Sequence, residues 1–342
     1  MKQIYIEKDI SGGRLDKLLF RYLDRAPAGF VYKMLRKKNI VLNDKKAAGS
    51  EILKEGDVIR LYLSDETVRG FSSAWTDGPV QNSASEKKRY AQKLKRLIIF
   101  EDENIIALNK PAGMLVQKAK PGDVSLNDML LGYLPPAQAF TPGISNRLDR
   151  NTAGIVLAGK NLLASRLLNE AVKNRSIDKK YLVLVCAHME SELFLKGYLV
   201  KDEKTNTSYV VNEPAVCGRP LKVPAGAKLI KTKYAPLQSN NSFTLLEAEL
   251  LTGRSHQIRS QLYAAGFPVA GDRKYADKNA NEYLKKKYGL EGQFLCAYKI
   301  EFTKMEGELE YLNKKTLTAP LPENFAGVLK GEGLWQRGLQ EA

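Results

Sequence analysis

Residues 146–160, NRLDRNTAGIVLAGK, decide the fold, because a charged turn here runs directly into an apolar segment. The apolar run at 155–158 predicts a buried strand. Asp149 lies between Arg147 and Arg150, where that strand begins. A carboxylate in this position is either a structural ion-pair partner or a reactive group held ionised. The stretch alone leaves both interpretations open.

Residues 250–275, LLTGRSHQIRSQLYAAGFPVAGDRKY, contain a second basic turn. The segment follows a predicted strand and turns at a glycine. Arg254, His256 and Arg259 come next, near the start of a predicted helix. Two such turns, each beside a strand, are expected to meet in one pocket at the edge of the sheet. Asp149 and Arg259 would pair there.

The pattern between these turns mixes strands with helices. The segments are LIIFEDENIIALNKPAG (97–113, two strands), NLLASRLLNEAVKN (161–174, a helix), YLVLV (181–185, a strand) and SFTLLEAELL (242–251, a strand). The helix is expected to place Leu163, Leu167 and Ala171 on one apolar face. A helix does not follow every strand, which favours an α+β fold with a mixed sheet over a doubly wound one.

Residues 11–63 form a compact unit by pattern. Its segments are RLDKLLFRYL (14–23) and FVYKMLRKKN (30–39), predicted as helices, and IVLN (40–43) and GDVIRLYL (56–63), predicted as strands. The first helix has its apolar positions at i, i+3, i+4 and i+7: Leu15, Leu18, Leu19 and Tyr22. Asn39 suits the left-handed position after the second helix.

The second helix becomes strongly basic toward its end. The cations are Lys33, Arg36, Lys37 and Lys38. They form either a solvated face that complements the helix dipole or a surface for a polyanion. The pattern does not choose between these two interpretations.

Residues 64–93 are Ser-rich, polar and aperiodic, which predicts a linker. Trp75 within it is expected to tuck against a neighbouring domain, with stacking on RNA as the alternative. The predicted division is therefore 1–63 for the small unit, 64–93 for the linker and 94–330 for the catalytic domain.

Composition narrows the function. The chain has 342 residues with 54 Lys and Arg against 38 Asp and Glu, a net charge of +16 that favours a polyanionic partner. Only two histidines and three scattered cysteines are present, which argues against a His-rich metal site and a CxxC clip. If the protein is an enzyme, its catalysis must then rest on Asp, Arg, Lys or Tyr. The N-terminus has no apolar leader and no long uncharged span occurs, so the expected location is cytoplasmic.

The N-terminal unit resembles the S4 RNA-binding domain. The matching segments are Arg14-Leu15-Asp16-Lys17-Leu18, Ile40-Val41-Leu42-Asn43 and Gly56-Asp57-Val58-Ile59-Arg60-Leu61. The resemblance implies that the basic helix lies on folded RNA and contacts phosphates and shape more than sequence. The residues expected to bind RNA are Lys17, Arg36, Lys37 and Lys38.

Four motifs in order resemble the RluA-type RNA pseudouridine synthases, and more narrowly their large-subunit ribosomal RNA enzymes with an S4 domain. They are LNKPAG (108–113), RLDRNTAG (147–154), KKYL (179–182) and GRSHQIR (253–259), the last leading to Gly271-Asp272. The resemblance implies a pseudouridine synthase fold, α+β with a mixed, mainly antiparallel sheet. It also implies a cofactor-free isomerase that acts on uridines in ribosomal RNA.

The resemblance assigns catalytic roles to three residues. Asp149 would be the nucleophile or base at the ribose, through either an ester or a glycal intermediate. Arg259 would be its salt-bridge partner and would keep it ionised in a closed site. Tyr181 would stack on the target base or assist proton transfer at C5, the alternative being an ordinary core aromatic.

The remaining arginines are expected to position RNA. Arg147 would enter the space that a flipped-out uridine leaves, and Arg150 and Arg254 would bind beside it. The expected partner is large-subunit ribosomal RNA or its precursor, bound by a monomer. The alternatives are a non-catalytic RNA-binding assembly factor and a small-subunit synthase.

Three positions depart from the family pattern. Gln117, Asn146 and Gln261 stand where many relatives have histidine, and amides keep hydrogen bonding without titration. Activity is expected to survive with altered pocket details. Lys110 and its turn are expected to be scaffold, and Gly154 is expected to permit the tight passage into the next strand.

Overall fold

The computed structural model covers most of the chain. It describes residues 2–6, 11–72, 84–120, 122–134, 140–202, 207–212, 223–275 and 278–335. Trp75, whose packing the sequence left open, lies outside these residues.

The N-terminal unit is a small sheet covered by helices. Its elements are β1 (Lys2–Tyr5), α1 (Leu15–Tyr22), α2 (Ala28–Arg36), β2 (Ile40–Leu42), β3 (Lys45–Lys46), β4 (Val58–Leu61) and α3 (Asp65–Phe71). The strand order is β1-β4-β2-β3, and all pairs are antiparallel. The predicted stripe of α1 is confirmed, since Leu15, Leu18 and Leu19 are buried in the core of this unit.

Helix α2 ends one residue earlier than the sequence suggested. The prediction of a left-handed Asn39 is wrong, because Lys38 has that conformation, with φ of 60°. The Asn39 amide instead donates to the Met34 carbonyl at 2.9 Å, and the Lys38 amide donates to Leu35 at 3.1 Å. These two bonds form a Schellman motif, which places Lys38 at the left-handed position and Asn39 after it.

Two helices lie within the stretch predicted as a linker. Helix α3 buries Val68 in the N-terminal core, and Phe71 contacts Phe30 with ring centroids 4.5 Å apart. Helix α4 (Ala84–Lys95) buries Tyr90 and Leu94 against the large sheet. The linker prediction for 64–93 is therefore wrong for both segments. Among the described residues, the apolar side chains that reach a core are Val68 and the half-buried Phe71 in α3 and Tyr90 and Leu94 in α4, too few to stand out in a polar stretch.

The second unit is built on a large mixed sheet. Its strands are β5 (Ile98–Glu101), β6 (Ile105–Lys110), β7 (Gly143–Ile144), β8 (Ala153–Gly159), β9 (Ile177–Val185), β10 (Leu193–Asp202), β11 (Thr207–Asn212), β12 (Lys228–Ser239), β13 (Thr244–Leu250), β14 (Leu295–Phe302) and β15 (Thr316–Thr318). The order is β11-β10-β12-β13-β9-β14-β8-β6-β5, with β15 on β14 and β7 on β8. Only the β14–β8 pair is parallel within the described residues. The predicted α+β class with a mainly antiparallel sheet is confirmed.

Helices cover both faces of this sheet. They are α5 (Leu126–Tyr133), α6 (Leu162–Asn174), α7 (Gln257–Ala264), α8 (Lys278–Tyr288), α9 (Glu323–Gly331) and a 3₁₀ helix (Gly307–Leu312). Leu334 beyond α9 is fully buried, so this unit extends past the predicted end at 330. No helix in the described part of the chain is long and apolar enough to cross a membrane.

Strand β8 is buried on both faces, which explains its unbroken apolar run. Ile155 and Leu157 pack under α6, whereas Val156 and Ala158 pack under α4 and α5. A strand covered on both sides needs no polar alternation.

The buried face of α6 differs from the predicted one by one residue at two positions. Ala164 and Leu168 are buried, where Leu163 and Leu167 were expected.

Gly154 links the charged turn to β8 at a point where no side chain fits. Its φ is +110°, and a Cβ built there would lie 2.2 Å from the Ala297 carbonyl oxygen on β14. Gly154→Ala is therefore expected to lower the free energy of unfolding by about 3 kcal/mol or more, through backbone strain and overpacking. Urea unfolding measures this loss. The matched change Gly143→Ala meets no atom within 4 Å, and an equal loss there would contradict the explanation.

Candidate active site

The two basic turns meet in one cleft beside β9, β13 and β14, which are inner strands of the large sheet. The cleft has a volume of about 860 Å³ and is lined by both turns, by the end of α6 and by the start of β9. Arg147 and Asp149 come from the turn before β8, and Arg254 and His256 come from the turn before α7. Segments about a hundred residues apart in sequence thus form a single site, as the sequence predicted.

Arg259 connects two carboxylates. Its Nη1 donates to Asp149 Oδ2 at 2.9 Å, whereas its Nε and Nη2 donate to Asp272 at 2.5 and 2.9 Å. Burial alone would lower the pKa of this guanidinium, but the hydrogen bonds and charge of Asp272, followed by Asp149, raise it above its usual value. The predicted pair between Asp149 and Arg259 is present, and Arg259 is a permanent cation beside the Asp149 carboxylate.

Asp272 is a member of the site to which the sequence gave no role. It is fully buried, and its Oδ1 also accepts hydrogen bonds from the backbone amides of Lys274 and Tyr275. Because a bidentate contact fixes the plane of a guanidinium, Asp272 directs the remaining Nη1 of Arg259 toward Asp149. The only sequence signal was its place in the Gly271-Asp272 motif.

The carboxylate of Asp149 remains accessible from the cleft. Its side chain is 25% exposed, against 6% for Arg259, so a ligand can reach it while its partner stays covered. His256 Nε2 lies 3.9 Å from Asp149 Oδ2, and its Nδ1 lies 3.2 Å from the Tyr275 hydroxyl. Burial lowers the pKa of His256 and favours the neutral ring. Arg259 is therefore the dominant cation at this carboxylate.

Tyr181 lies on β9 and lines the same cleft. It is buried, and it packs with Val183 and Leu246 in an apolar cluster. Burial, together with the nearby Asp149 carboxylate, raises its pKa above the usual value. The phenol therefore stays protonated and neutral. Tyr181 is both a core aromatic and a wall of the cleft.

Comparison with known proteins agrees with this geometry. A family described as RNA pseudouridylate synthase matches residues 104–264, which contain Asp149, Tyr181 and Arg259. The ribosomal large subunit pseudouridine synthase C of Haemophilus influenzae is 30% identical over 303 residues, covering 88% of this chain and 87% of that protein. The chain belongs to the RNA pseudouridylate synthase family.

Two further comparisons support the assignment. The ribosomal large subunit pseudouridine synthase C of Vibrio cholerae is 28% identical over 327 residues, which is 95% of each chain. The structure titled human RNA pseudouridylate synthase domain containing 4 has a TM-score of 0.59 at 23% identity. It covers 72% of this chain and 97% of that one, and it supports the pseudouridylate synthase fold.

The other predicted RNA-binding arginines of this pseudouridylate synthase differ in their surroundings. Arg147 and Arg254 are exposed and line the cleft. Arg150 is exposed but does not line it, and its Nε donates to the Gly113 carbonyl at 3.1 Å. Arg150 therefore joins the turn before β8 to the loop after β6.

Lys110 also joins the turn before β8 to the loop after β6. It is fully buried, and its Nζ donates to the carbonyls of Pro111, Met114 and Arg150 at 2.9–3.0 Å. Burial lowers its pKa to about 7, against the opposing effect of the Asp149 carboxylate. Its hydrogen bonds hold the loops together, in agreement with the scaffold role expected for this turn.

Two of the three amides expected to stand in place of histidine form buried hydrogen bonds. Asn146 donates to the Ile155 carbonyl and accepts from the Leu157 amide, which fastens the turn to β8. Gln261 donates to the Leu195 carbonyl and accepts from Thr232 at 2.5 Å. Gln117 is exposed. Asn146 and Gln261 each serve as donor and acceptor inside the pseudouridylate synthase fold.

Proposed function

We propose that this protein isomerises specific uridines of ribosomal RNA to pseudouridine, and that these uridines lie in 23S ribosomal RNA. The observation that carries the proposal is the accessible Asp149 carboxylate held by buried Arg259 in a cleft of this family's fold. Relatives at 30% identity carry the name ribosomal large subunit pseudouridine synthase C. The protein would act as a monomer on the large-subunit RNA or its precursor.

The reaction breaks one glycosidic bond and forms another. The N1–C1′ bond of uridine breaks, the base turns, C5 bonds to C1′, the C5 proton leaves to solvent, and N1 takes up a proton from solvent in its place. Asp149 supplies the electron pair at the ribose, either to C1′ as a nucleophile or to a ribose proton as a base. The ester bond breaks when C5 attacks C1′, or the ribose proton is returned, so the carboxylate is regenerated in either case. Arg259 stabilises its negative charge, and the neutral phenol of Tyr181 stacks on the base or relays the C5 proton, releasing its own proton to solvent as it accepts that one.

Access to the uridine requires base flipping. A base inside folded RNA cannot reach Asp149 until it leaves the stack, and a cleft of about 860 Å³ accommodates a nucleoside with flanking phosphates. Arg147, exposed at the cleft, would occupy the vacated space with its planar guanidinium. Arg254 would bind the adjacent backbone.

The N-terminal unit would act as an S4-type RNA-binding domain beside the catalytic domain. Lys17, Arg36, Lys37 and Lys38 are exposed on this unit and do not line the catalytic cleft. These four cations therefore provide a second contact with RNA, distinct from the uridine site.

The triple change Arg36→Gln, Lys37→Gln and Lys38→Asn is expected to weaken RNA binding. Asn accepts the left-handed backbone of Lys38, so folding should persist. A plot of log affinity against log salt concentration should become less steep by about 2, since each lost phosphate contact lowers the magnitude of its slope by about 0.7 to 0.9. Filter binding to unmodified 23S transcript measures it.

The control for this experiment removes three exposed lysines from α8: Lys278, Lys285 and Lys286. Changing them to glutamine gives the same loss of net charge away from both proposed RNA contacts. Equal slopes for the two triple variants would mean that the N-terminal unit does not bind RNA.

Mapping pseudouridines after incubation with unmodified 23S and 16S transcripts tests the proposed activity. New pseudouridines in 23S ribosomal RNA alone are expected. Modification of 16S alone would identify a small-subunit synthase. RNA that binds but stays unmodified in both transcripts would identify a non-catalytic assembly factor instead.

A further inference from the structure

One wall of the catalytic cleft lies outside all four family motifs. It is formed by the C-terminal end of α6 and the residues that lead into β9, and it includes Lys173 and Arg175. We name these two residues the α6 basic pair. Both side chains are exposed, and both line the same cleft as Asp149 and Tyr181.

The charges of the α6 basic pair are not neutralised within the protein. No acidic side chain of the described residues forms an ion pair with either cation. Other cations of the fold do have acidic partners, such as Lys160 with Glu101 at 2.7 Å and Lys180 with Glu247 at 2.8 Å. The α6 basic pair therefore presents two uncompensated positive charges to whatever enters the cleft.

The backbone of Arg175 adds an independent argument. Arg175 has φ of 61° and ψ of 39°, and the Ser176 amide donates to the Ala171 carbonyl at 2.9 Å. This is the left-handed position of a Schellman motif, where glycine or asparagine fits at lower conformational cost. A cation anywhere in the last turn of α6 would complement the helix dipole, so the dipole does not require a cation at position 175. Arg175 therefore places an exposed guanidinium on the cleft wall at a position where a smaller residue would cost less.

The one carboxylate that the structure describes on this wall does not neutralise both charges of the α6 basic pair. Asp178 lines the cleft, but burial, followed by the neighbouring carboxylates of Glu249 and Glu301, raises its pKa. Asp178 is directly opposite Glu301 in the β9–β14 register. Within the described residues Asp178 forms no ion pair with Lys173 or Arg175, so two cations face one acid on this wall.

A flipped nucleotide continues into RNA backbone in both directions. The two basic turns place Arg147 and Arg254 at the cleft, and the α6 basic pair lies on another wall of it. We propose that Lys173 and Arg175 form a phosphate-binding subsite for the RNA strand adjoining the target uridine. This subsite rests on the proposed function, because it takes RNA as the occupant of the cleft.

The double change Lys173→Gln and Arg175→Asn tests the subsite by filter binding to unmodified 23S transcript. Asn tolerates the left-handed backbone, so the helix end should stay intact. The salt slope should fall by about 1.5, and the affinity by about 30-fold at 0.1 M salt and about 10-fold at 0.2 M. The matched control Lys285→Gln and Lys286→Gln removes two charges from α8 and should leave affinity nearly unchanged.

An unchanged slope, or an affinity loss no larger than that of the α8 control, would overturn the subsite. Urea unfolding is measured on both double variants, and a loss of affinity explained by partial unfolding would also overturn it. Binding needs no chemistry, so this result is independent of isomerisation. Wild-type protein that binds RNA but makes no pseudouridine would refute the proposed function and leave the subsite standing.

Discussion

Asp149→Asn is expected to reduce pseudouridine formation by about 10⁴-fold or more, in line with the cost of removing a nucleophile in other enzymes. The amide is nearly isosteric, but it has no negative charge with which to attack C1′ or remove a proton. Arg259 stays bound to Asp272 through Nε and Nη2, so the fold around the site should persist. Nucleoside analysis of digested 23S transcript measures the loss.

RNA affinity distinguishes a chemical role for Asp149 from a binding role. The Asp149→Asn protein should bind 23S transcript as tightly as wild type or slightly more tightly, because one negative charge leaves a cleft that binds a polyanion. A large loss of affinity together with the loss of turnover would mean that Asp149 mainly holds RNA. That outcome would contradict the role assigned to its carboxylate.

Arg259→Met is expected to lower the free energy of unfolding by about 3–5 kcal/mol, which is the usual cost of stranding a buried charge. The stranded group is Asp272, which is fully buried and loses both guanidinium hydrogen bonds. Pseudouridine formation should also be lost, because Asp149 loses the buried guanidinium that pairs with it. Urea unfolding and nucleoside analysis follow the two effects separately.

A second variant separates the structural role of Arg259 from its role at Asp149. Adding Asp272→Asn to Arg259→Met removes the stranded charge and keeps an acceptor for the amides of Lys274 and Tyr275. Part of the stability should return, whereas turnover should not. A double variant that regains both would show that Arg259 supports the fold alone.

Local pattern was enough to predict much of this fold. The unbroken apolar run of β8 and the stripe of α1 each report burial directly, and both predictions are confirmed. The pairing of Asp149 with Arg259 was also predictable, because two basic turns beside strands had few other places to converge. In these cases the sequence itself carries the chemical reason for the contact.

Features that depend on tertiary contacts were not predictable. Helix α6 buries a face offset by about one residue from the predicted one. The sheet and the 3₁₀ helix, against which it packs, determine which side is buried. Asp272 contacts Arg259 only after the chain has passed through α7 and a bend. The left-handed positions of Lys38 and Arg175 depend on where each helix ends, and residue type predicts that end only to within a residue or two.

The most direct measurement is single-turnover release of tritium from 23S transcript labelled at uridine C5, with excess protein. Every isomerisation expels one C5 hydrogen, so wild-type protein should release tritium and the Asp149→Asn and Asp149→Ala proteins should stay at background. Release by either variant at a rate comparable to wild type would contradict the claim that the Asp149 carboxylate, held by Arg259, performs the reaction.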